Sequence, residues 1–375
     1  MDWYNLCLIK LKKLMAEILE PITMKRSQLK KLSLDPKATA KAVRLVYVNS
    51  NDEGITRIRS GKEFTYTYKG NVLKDKKELE RVRSLVLPPA WEDVWICTLP
   101  NGHLQATGKD VMNRKQYRYH PLWNQLRNKT KFYRMLELGK VLPAIRKQIQ
   151  KDLGLAGLPR NKVMAAVISL MEKTGIRIGN EFYEKLYGSF GLTTLKDKHV
   201  TIKGATVQFS FRGKKGVEHQ VCLQSKKLSK IVHQCRDIPG KELFQYIDEE
   251  GKRQSIESGM VNEYIKEIAD GEFTAKDFRT WCGSVAALNA LKETGSFNDE
   301  KEAKKKIVEV LDKVSLQLGN TRTVCKKYYV HPSLLDLYEN GEMEKWLEKL
   351  KGCKKSDDCD LEAEEKIFMN ILESL

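Results

Sequence analysis

Apolar residues fall along this 375-residue chain in two rhythms, and the change from one to the other divides it. From about Leu45 to Leu104 they alternate with polar residues in short runs. These are Arg44–Val48, Phe64–Tyr68 and Val94–Thr98, separated by turn formers at Asn51–Gly54, Lys69–Asn71 and Pro100–Gly102. That is the pattern of a small sheet, with one helix near Lys76–Ser84 ended by Pro88-Pro89. Helical spacing takes over from about Leu122 to Leu153 and breaks at Gly154–Pro159; that break, or the stretch near Gly139, is the best linker candidate. Lys162–Lys173 is apolar enough for a buried helix. Three strand-like segments follow at His199–Lys203, Ala205–Gly213 and Val217–Leu223, the last two joined by a tight Gly213–Gly216 turn. Further helices are predicted over Ser225–Tyr246, Gly259–Ala269, from Thr274 as a cap, Ser284–Thr294 and Asp299–Leu318. The fold class is therefore α+β: a small N-terminal sheet domain and a larger, mainly helical domain carrying a three-stranded antiparallel sheet. Four segments are expected: 1–40, an amphipathic helix (Leu6, Leu8, Ile9, Leu11, Leu14, Ile18, Leu19) with a basic link; 41–121; 122–340; and an acidic helical tail at 341–375.

Charge adds a partner to this picture. The net charge is +18 with a pI of about 9.3, and residues 356–375 carry −6, which leaves +24 on the remainder. So basic a body favours a polyanion such as nucleic acid over a small neutral metabolite, although ribosomal-type and membrane-surface proteins share the property. The eight cysteines include no CxxC pair and no histidine set at zinc spacing, so free thiols in a reducing compartment are expected. The N-terminal apolar run is interrupted by Lys10, Lys12 and Lys13 and lacks a cleavage site; neither a signal peptide nor a membrane span is expected. No GxG and no GxxxxGK[ST] occurs, and the acidic residues form no metal cluster.

Several segments carry chemistry. Ala106–His120 interleaves bases with aromatics, as would suit phosphate contact, stacking and base-edge readout, or else a solvated edge strand. Arg177 lies between Ile176 and Ile178, where a charge needs a partner, whether a structural acid or a ligand. Lys214 is placed at a hairpin tip, where most lysines are merely solvated. Lys276 and Arg279 fall on the first turns of one helix. In Leu318–Pro332, Tyr328 and Tyr329 follow Lys326 and Lys327, so a phenol stands in positive potential. Such a phenol is a nucleophile only if cations stabilise the phenolate or the phosphorane-like transition state, and is otherwise a core residue.

Taken in order, Arg177, Lys214, Lys276 with Arg279, Asn320 and Tyr329 resemble the catalytic set of the type IB DNA topoisomerases. The likeness runs from about Val43 to Leu337 and is most specific in IRIGNE around Arg177, LTTLKDKHV, FRGK ending at Lys214, KDFRT around Arg279, LGNT and VCKKYYVHP. Gly108–Trp123 is most similar to the bacterial type. The resemblance implies that Tyr329 attacks a backbone phosphorus, forming a 3′-phosphotyrosyl link and expelling a 5′-hydroxyl. Arg177 and Arg279 would clamp the nonbridging oxygens, and Lys214 would protonate the departing oxygen. Asn320, nine residues before Tyr329, would donate a hydrogen bond where other members use histidine, as in bacterial members; it cannot shuttle protons. Gln116, Tyr117 and Tyr119 align with major-groove contacts of the poxvirus enzyme, and Arg114, Lys115 and Lys276 join them as candidate DNA contacts. The reaction would need neither ATP nor metal, because the phosphotyrosyl bond retains the free energy of the cleaved one. A monomer clamping double-stranded DNA is implied, cytoplasmic and nucleoid-associated if bacterial. Tyrosine recombinases share much of this order. They usually carry a histidine where Lys276 stands and lack the N-terminal β region. A DNA-binding protein without catalysis is the remaining alternative.

Overall fold

The computed structural model describes residues 35–350 and 359–375 except Lys62, together with Gln28 and Leu32. The N-terminal amphipathic helix expected from the sequence, and Asp357 and Asp358 of the acidic tail, lie outside the described residues. The chain divides into two compact units between Arg134 and Met135. That point falls inside a long helix, whereas the sequence pattern puts a boundary at its first turn.

In the first unit, α1 (Pro36–Ala42) is capped by the Asp35 carboxylate, which accepts from the amides of Lys37 and Ala38 at 2.8 and 3.1 Å. Strands β1 (Ile55–Ser60), β2 (Glu63–Tyr68), β3 (Asn71–Val72), β4 (Glu92–Ile96), β5 (Leu104–Lys109) and β6 (Lys115–Tyr119) form one antiparallel sheet ordered β3-β2-β1-β4-β5-β6. Ile55, Tyr66, Val94, Ile96 and Ala106 pack against Val82 of α2 (Lys76–Ser84), so strand alternation and helical period supply one core. Arg44–Val48 is not a strand. Arg44 has φ of 56°, and Val46 makes a single parallel bridge to Gly102. Val43 and Leu45 turn inward to Trp123 and Leu126, and that packing overrides the β-type pattern.

The expected helix is α3 (Pro121–Asp152), which runs on through Pro143. Gly139 is no linker: it lies inside α3, where an added Cβ would sit 2.2 Å from Met369 Sδ and 2.6 Å from the Trp281 ring. The second unit is built round α4 (Arg160–Thr174), whose residues Val163–Met171 are all buried; a helix apolar on every side belongs at the centre. It touches β9 (Glu218–Gln224), α6 (Lys226–Arg236), α7 (Ser258–Ala269) and α8 (Ala275–Thr294). Between α4 and β9 come the short α5 (Glu181–Tyr187) and strands β7 (Val200–Lys203) and β8 (Thr206–Arg212). The sheet β7-β8-β9 alternates as expected, with Val207, Phe209 and Phe211 inward.

The helix expected over Ser225–Tyr246 instead ends at Arg236, just before Pro239-Gly240, and Gln245–Ile247 is β10, paired with β11 (Arg253–Ser255). Two separate helices expected after Thr274 are the single α8, started by a reciprocal cap between Thr274 and Asp277. Next come α9 (Glu300–Leu318), α10 (Arg322–Tyr328), α11 (Pro332–Glu339), α12 (Glu344–Leu350) and α13 (Ala363–Ser374). The acidic tail is helical as expected, but it is packed. Ile367, Phe368, Met369, Ile371 and Leu372 of α13 are buried against α8 and α12.

Candidate active site

Each side chain of the candidate set is delivered by an element end. α4 stops at Gly175, whose φ of 67° suits glycine, and the next residues lie outside helix and strand, with Ile176 and Ile178 buried. The Arg177 and Ile178 carbonyls accept from the amides of Leu192 and Thr193 at 2.8 and 2.6 Å, which fixes Arg177 between two anchored apolar neighbours. Arg279 comes from the second turn of α8 and is 5% exposed.

The two guanidinium groups meet at the C-terminus of α9. Arg279 Nη2 donates to the Leu318 carbonyl at 3.0 Å, and Arg177 Nη2 donates to the next carbonyl, Gly319, at 3.2 Å and to Asn320 Oδ1. Those carbonyls are ones a helix end leaves unpaired, at the negative pole of its dipole. They offset part of the repulsion between two adjacent cations. The strain shows in Arg177: burial first, and then Arg279, pull its pKa down to about 10, against the opposing pull of Tyr329 and Cys325. It remains charged at neutral pH.

Tyr329 stands at the end of α10, its amide bonded to the Cys325 carbonyl at 2.9 Å, with the Arg279 guanidinium 5.3 Å from its ring centre. The buried Ser284 hydroxyl donates to the Tyr329 carbonyl at 3.2 Å and accepts from the His331 amide at 3.0 Å, locking the backbone on both sides of Val330. Burial pushes the Cys325 thiol up to about 11 although Arg279 and Arg177 pull it down, so this cysteine is an inert wall of the cluster. Among the described residues, Arg279 Nε and Nη1 are buried donors without a hydrogen-bond partner, and the buried Asn320 Nδ2 has nothing better than the Cys325 sulfur. A buried donor left unpaired costs about 1–3 kcal/mol, and these three together make a cradle suited to an oxyanion.

Arg177, Arg279, Asn320 and Tyr329 thus come together. Lys214 is exposed on the β8–β9 turn, whose Lys215 and Gly216 have φ of 63° and 75°. Lys276 is exposed on the first turn of α8. Sequence reasoning missed His219, buried on β9 and facing both arginines, as well as Ser284 and Gly283. None of these three lies in a motif that announces chemistry. A cavity of about 370 Å³ lined by Arg146, Glu172, Trp281, Cys282, Glu293 and Glu365 contains none of the candidate set.

In the first unit, β6 is an edge strand. Asp110 is shared by Arg114 Nε at 2.7 Å and Gln116 Nε2 at 2.8 Å; the Arg114 side chain first, and then the amides of Arg114 and Met112, hold its carboxylate down to about 2. The Gln116 amide nitrogen is thereby engaged. Lys115 Nζ donates to Ser50 Oγ at 2.8 Å. The Tyr117 and Tyr119 rings stack at 5.9 Å, and Tyr119 continues onto Trp123 at 6.3 Å; Tyr117 is 49% exposed, so the stack has an open end.

Comparison with known proteins adds to this geometry. Residues 121–356 match the family model of the eukaryotic DNA topoisomerase I catalytic core, and residues 63–110 match that of the bacterial DNA topoisomerase IB N-terminal domain. The chain is 34% identical over 297 residues to a DNA topoisomerase 1B of Acanthamoeba polyphaga mimivirus, covering 77% of this chain and 88% of the viral protein. It is 24% identical over 291 residues to the DNA topoisomerase 1B of vaccinia virus strain Copenhagen, covering 75% and 89%.

Proposed function

The chain belongs to the type IB DNA topoisomerases, and on that footing we propose that Tyr329 is its nucleophile, Arg177, Arg279 and Asn320 its oxyanion cradle and Lys214 its general acid. As a member of that family it relaxes supercoiled DNA by transient single-strand cleavage and rejoining through a 3′-phosphotyrosyl intermediate, without ATP or metal. The phenol gives its proton to solvent water as its oxygen bonds to phosphorus, and the bond from phosphorus to the 5′ oxygen breaks. Charge develops on the nonbridging oxygens, where the buried N–H groups of Arg279 and Asn320 and the Arg177 guanidinium supply fixed donors. Lys214 gives its proton to the departing 5′ oxygen, and rejoining runs the same steps backwards. The observation that carries this assignment is the pair of guanidinium groups on consecutive carbonyls beside the Tyr329 ring.

Gln116, Tyr117, Tyr119, Arg114, Lys115 and Lys276 are assigned to duplex contact. Tyr117 and Lys115 are exposed, while Arg114 and Gln116 must first leave Asp110. One chain supplies every group in the scheme, so a monomer on double-stranded DNA suffices, acting in the cytoplasm, or at the nucleoid of a bacterial cell. Among the described residues no helix is long and apolar enough to cross a membrane.

The test is relaxation of a supercoiled plasmid in EDTA without ATP. The wild type should give relaxed topoisomers and Tyr329→Phe none; a Phe variant as active as the wild type overturns the assignment. Arg177→Ala and Arg279→Ala should each slow single-turnover cleavage by about 10²–10³-fold, as loss of one oxyanion donor does elsewhere.

A further inference from the structure

His219 is a buried titratable ring beside the candidate groups, and the mechanism above leaves it without a task. It lies on β9 directly across from Phe211 in β8, and the two rings stack at 4.9 Å with planes 5° apart. On either side of the imidazole is a glycine. A Cβ at Gly213 would come within 2.6 Å of its Cδ2 and Nε2, and one at Gly319 within 2.1 Å of its Cε1. Gly319 has φ of 58° and so needs glycine for its backbone as well, but Gly213 is extended, with φ of −94° and ψ of −163°, a conformation open to any residue. At Gly213 the ring itself is the reason for glycine.

These two glycines are the immediate neighbours of Lys214 and Asn320. The imidazole therefore touches both the hairpin that carries the proposed acid and the turn that carries a cradle donor, and it reaches them from a rigid strand. We infer that His219 is a positioning residue for the reaction, a wedge that sets the Lys214 hairpin against the Asn320 turn and so holds the acid in register with the phosphate cradle. Its charge state fits a wedge: burial first, and then Arg177 and Arg279, lower its pKa to about 4, so near neutral pH it adds no third positive charge to the two arginines. A cation here would compete with Lys214 for the same phosphate.

The inference rests on Lys214 being the acid, and the experiment separates the two. An ordinary phosphodiester substrate is compared with one whose bridging 5′ oxygen at the scissile bond is replaced by sulfur. A thiolate leaves without being protonated, so a defect confined to proton delivery disappears on the sulfur substrate. Single-turnover cleavage is measured for His219→Ala, Gly213→Ala, His219→Phe and Lys214→Ala. His219→Ala, which removes the wedge, and Gly213→Ala, which pushes it aside, should each cleave the oxygen substrate at least about tenfold more slowly, since sub-ångström to 1 Å misplacement is enough for that. Both should recover on sulfur, as Lys214→Ala should. His219→Phe, which keeps a flat ring on Phe211, should stay within a few-fold of the wild type on both. If Lys214→Ala recovers on sulfur and the His219 and Gly213 variants do not, the wedge is refuted and the acid stands. If Lys214→Ala fails to recover, the acid assignment falls and takes the wedge with it. His219→Ala as fast as the wild type on oxygen also refutes it. Should His219→Ala fail to fold, Gly213→Ala carries the same comparison alone.

Discussion

Gly283 lies well inside α8, where glycine costs a helix about 1 kcal/mol relative to alanine. An added Cβ would stand 2.7 Å from the Tyr329 carbonyl oxygen and 3.1 Å from Tyr329 Cβ, so the glycine is what lets the end of α10 lie against α8. Gly283→Ala should raise helix propensity yet slow single-turnover cleavage by about tenfold or more, because Tyr329 must move. Unchanged cleavage would mean that this contact does not place the phenol. Acid offers a second test at this scale. The folded pKa of His219, about 4, lies below its ordinary value near 6.5, so between these limits the unfolded chain binds the extra proton. Its contribution is whole above pH ~6.5 and is lost as pH falls toward ~4. Thermal melts should show the wild type losing more stability over that window than His219→Phe; equal losses would contradict the burial of a neutral ring facing Arg177 and Arg279. Tyr329, Arg177 and Arg279 were candidates in the sequence because their order resembles that of the family's catalytic set. His219 was not, since its part depends on the missing side chains of Gly213 and Gly319, more than a hundred residues apart.

At the scale of elements, α13 is the helix whose packing the sequence pattern leaves out. Its acids suggest a solvated end, yet Glu365 is buried and its two oxygens take Arg146 Nη1 and Nη2 at 2.9 and 2.8 Å, with Trp281 Nε1 of α8 at 2.7 Å. Burial alone would raise the Glu365 carboxyl; the Arg146 hydrogen bonds and charge more than offset it and leave its pKa lowered. Helix α13 is therefore bolted to the helix that carries Arg279. Glu365→Ala leaves Arg146 with Glu172 as its remaining acid, so in denaturant unfolding it should cost less than the about 3–5 kcal/mol of a buried charge left alone but more than about 1 kcal/mol. A loss under about 1 kcal/mol, the scale of an exposed pair, would contradict that burial. Periodicity made α4 and the strands β7 to β9 readable, because one is apolar all round and the others alternate. The run through Tyr246 was misread as helix although Pro239-Gly240 was visible, since its apolar spacing continues past the break. Charge count could not reveal α13, because the apolar half of its surface, not its acids, decides where it goes.

Across the whole molecule, the +24 carried outside residues 356–375 is the substrate's counterpart. Binding to duplex should fall steeply with salt, by about 10³–10⁵ between 50 and 200 mM if 6–10 phosphates are engaged. A nearly flat dependence, measured by fluorescence anisotropy, would contradict broad phosphate contact. The division of the chain inside α3 was not legible, because a helix that runs through a boundary keeps its period across it. Residues 63–110, which hold most of the β region, match a bacterial type IB N-terminal domain. What joins residue, element and molecule is the covalent complex with DNA. Trapping that complex by denaturation, digesting both components and sequencing the nucleotide-bearing peptide by mass spectrometry reads the claim directly. The account predicts a 3′-phosphorylated nucleotide on the phenolic oxygen of Tyr329; the same adduct on Tyr328, or one joined through a 5′ phosphate, would contradict it.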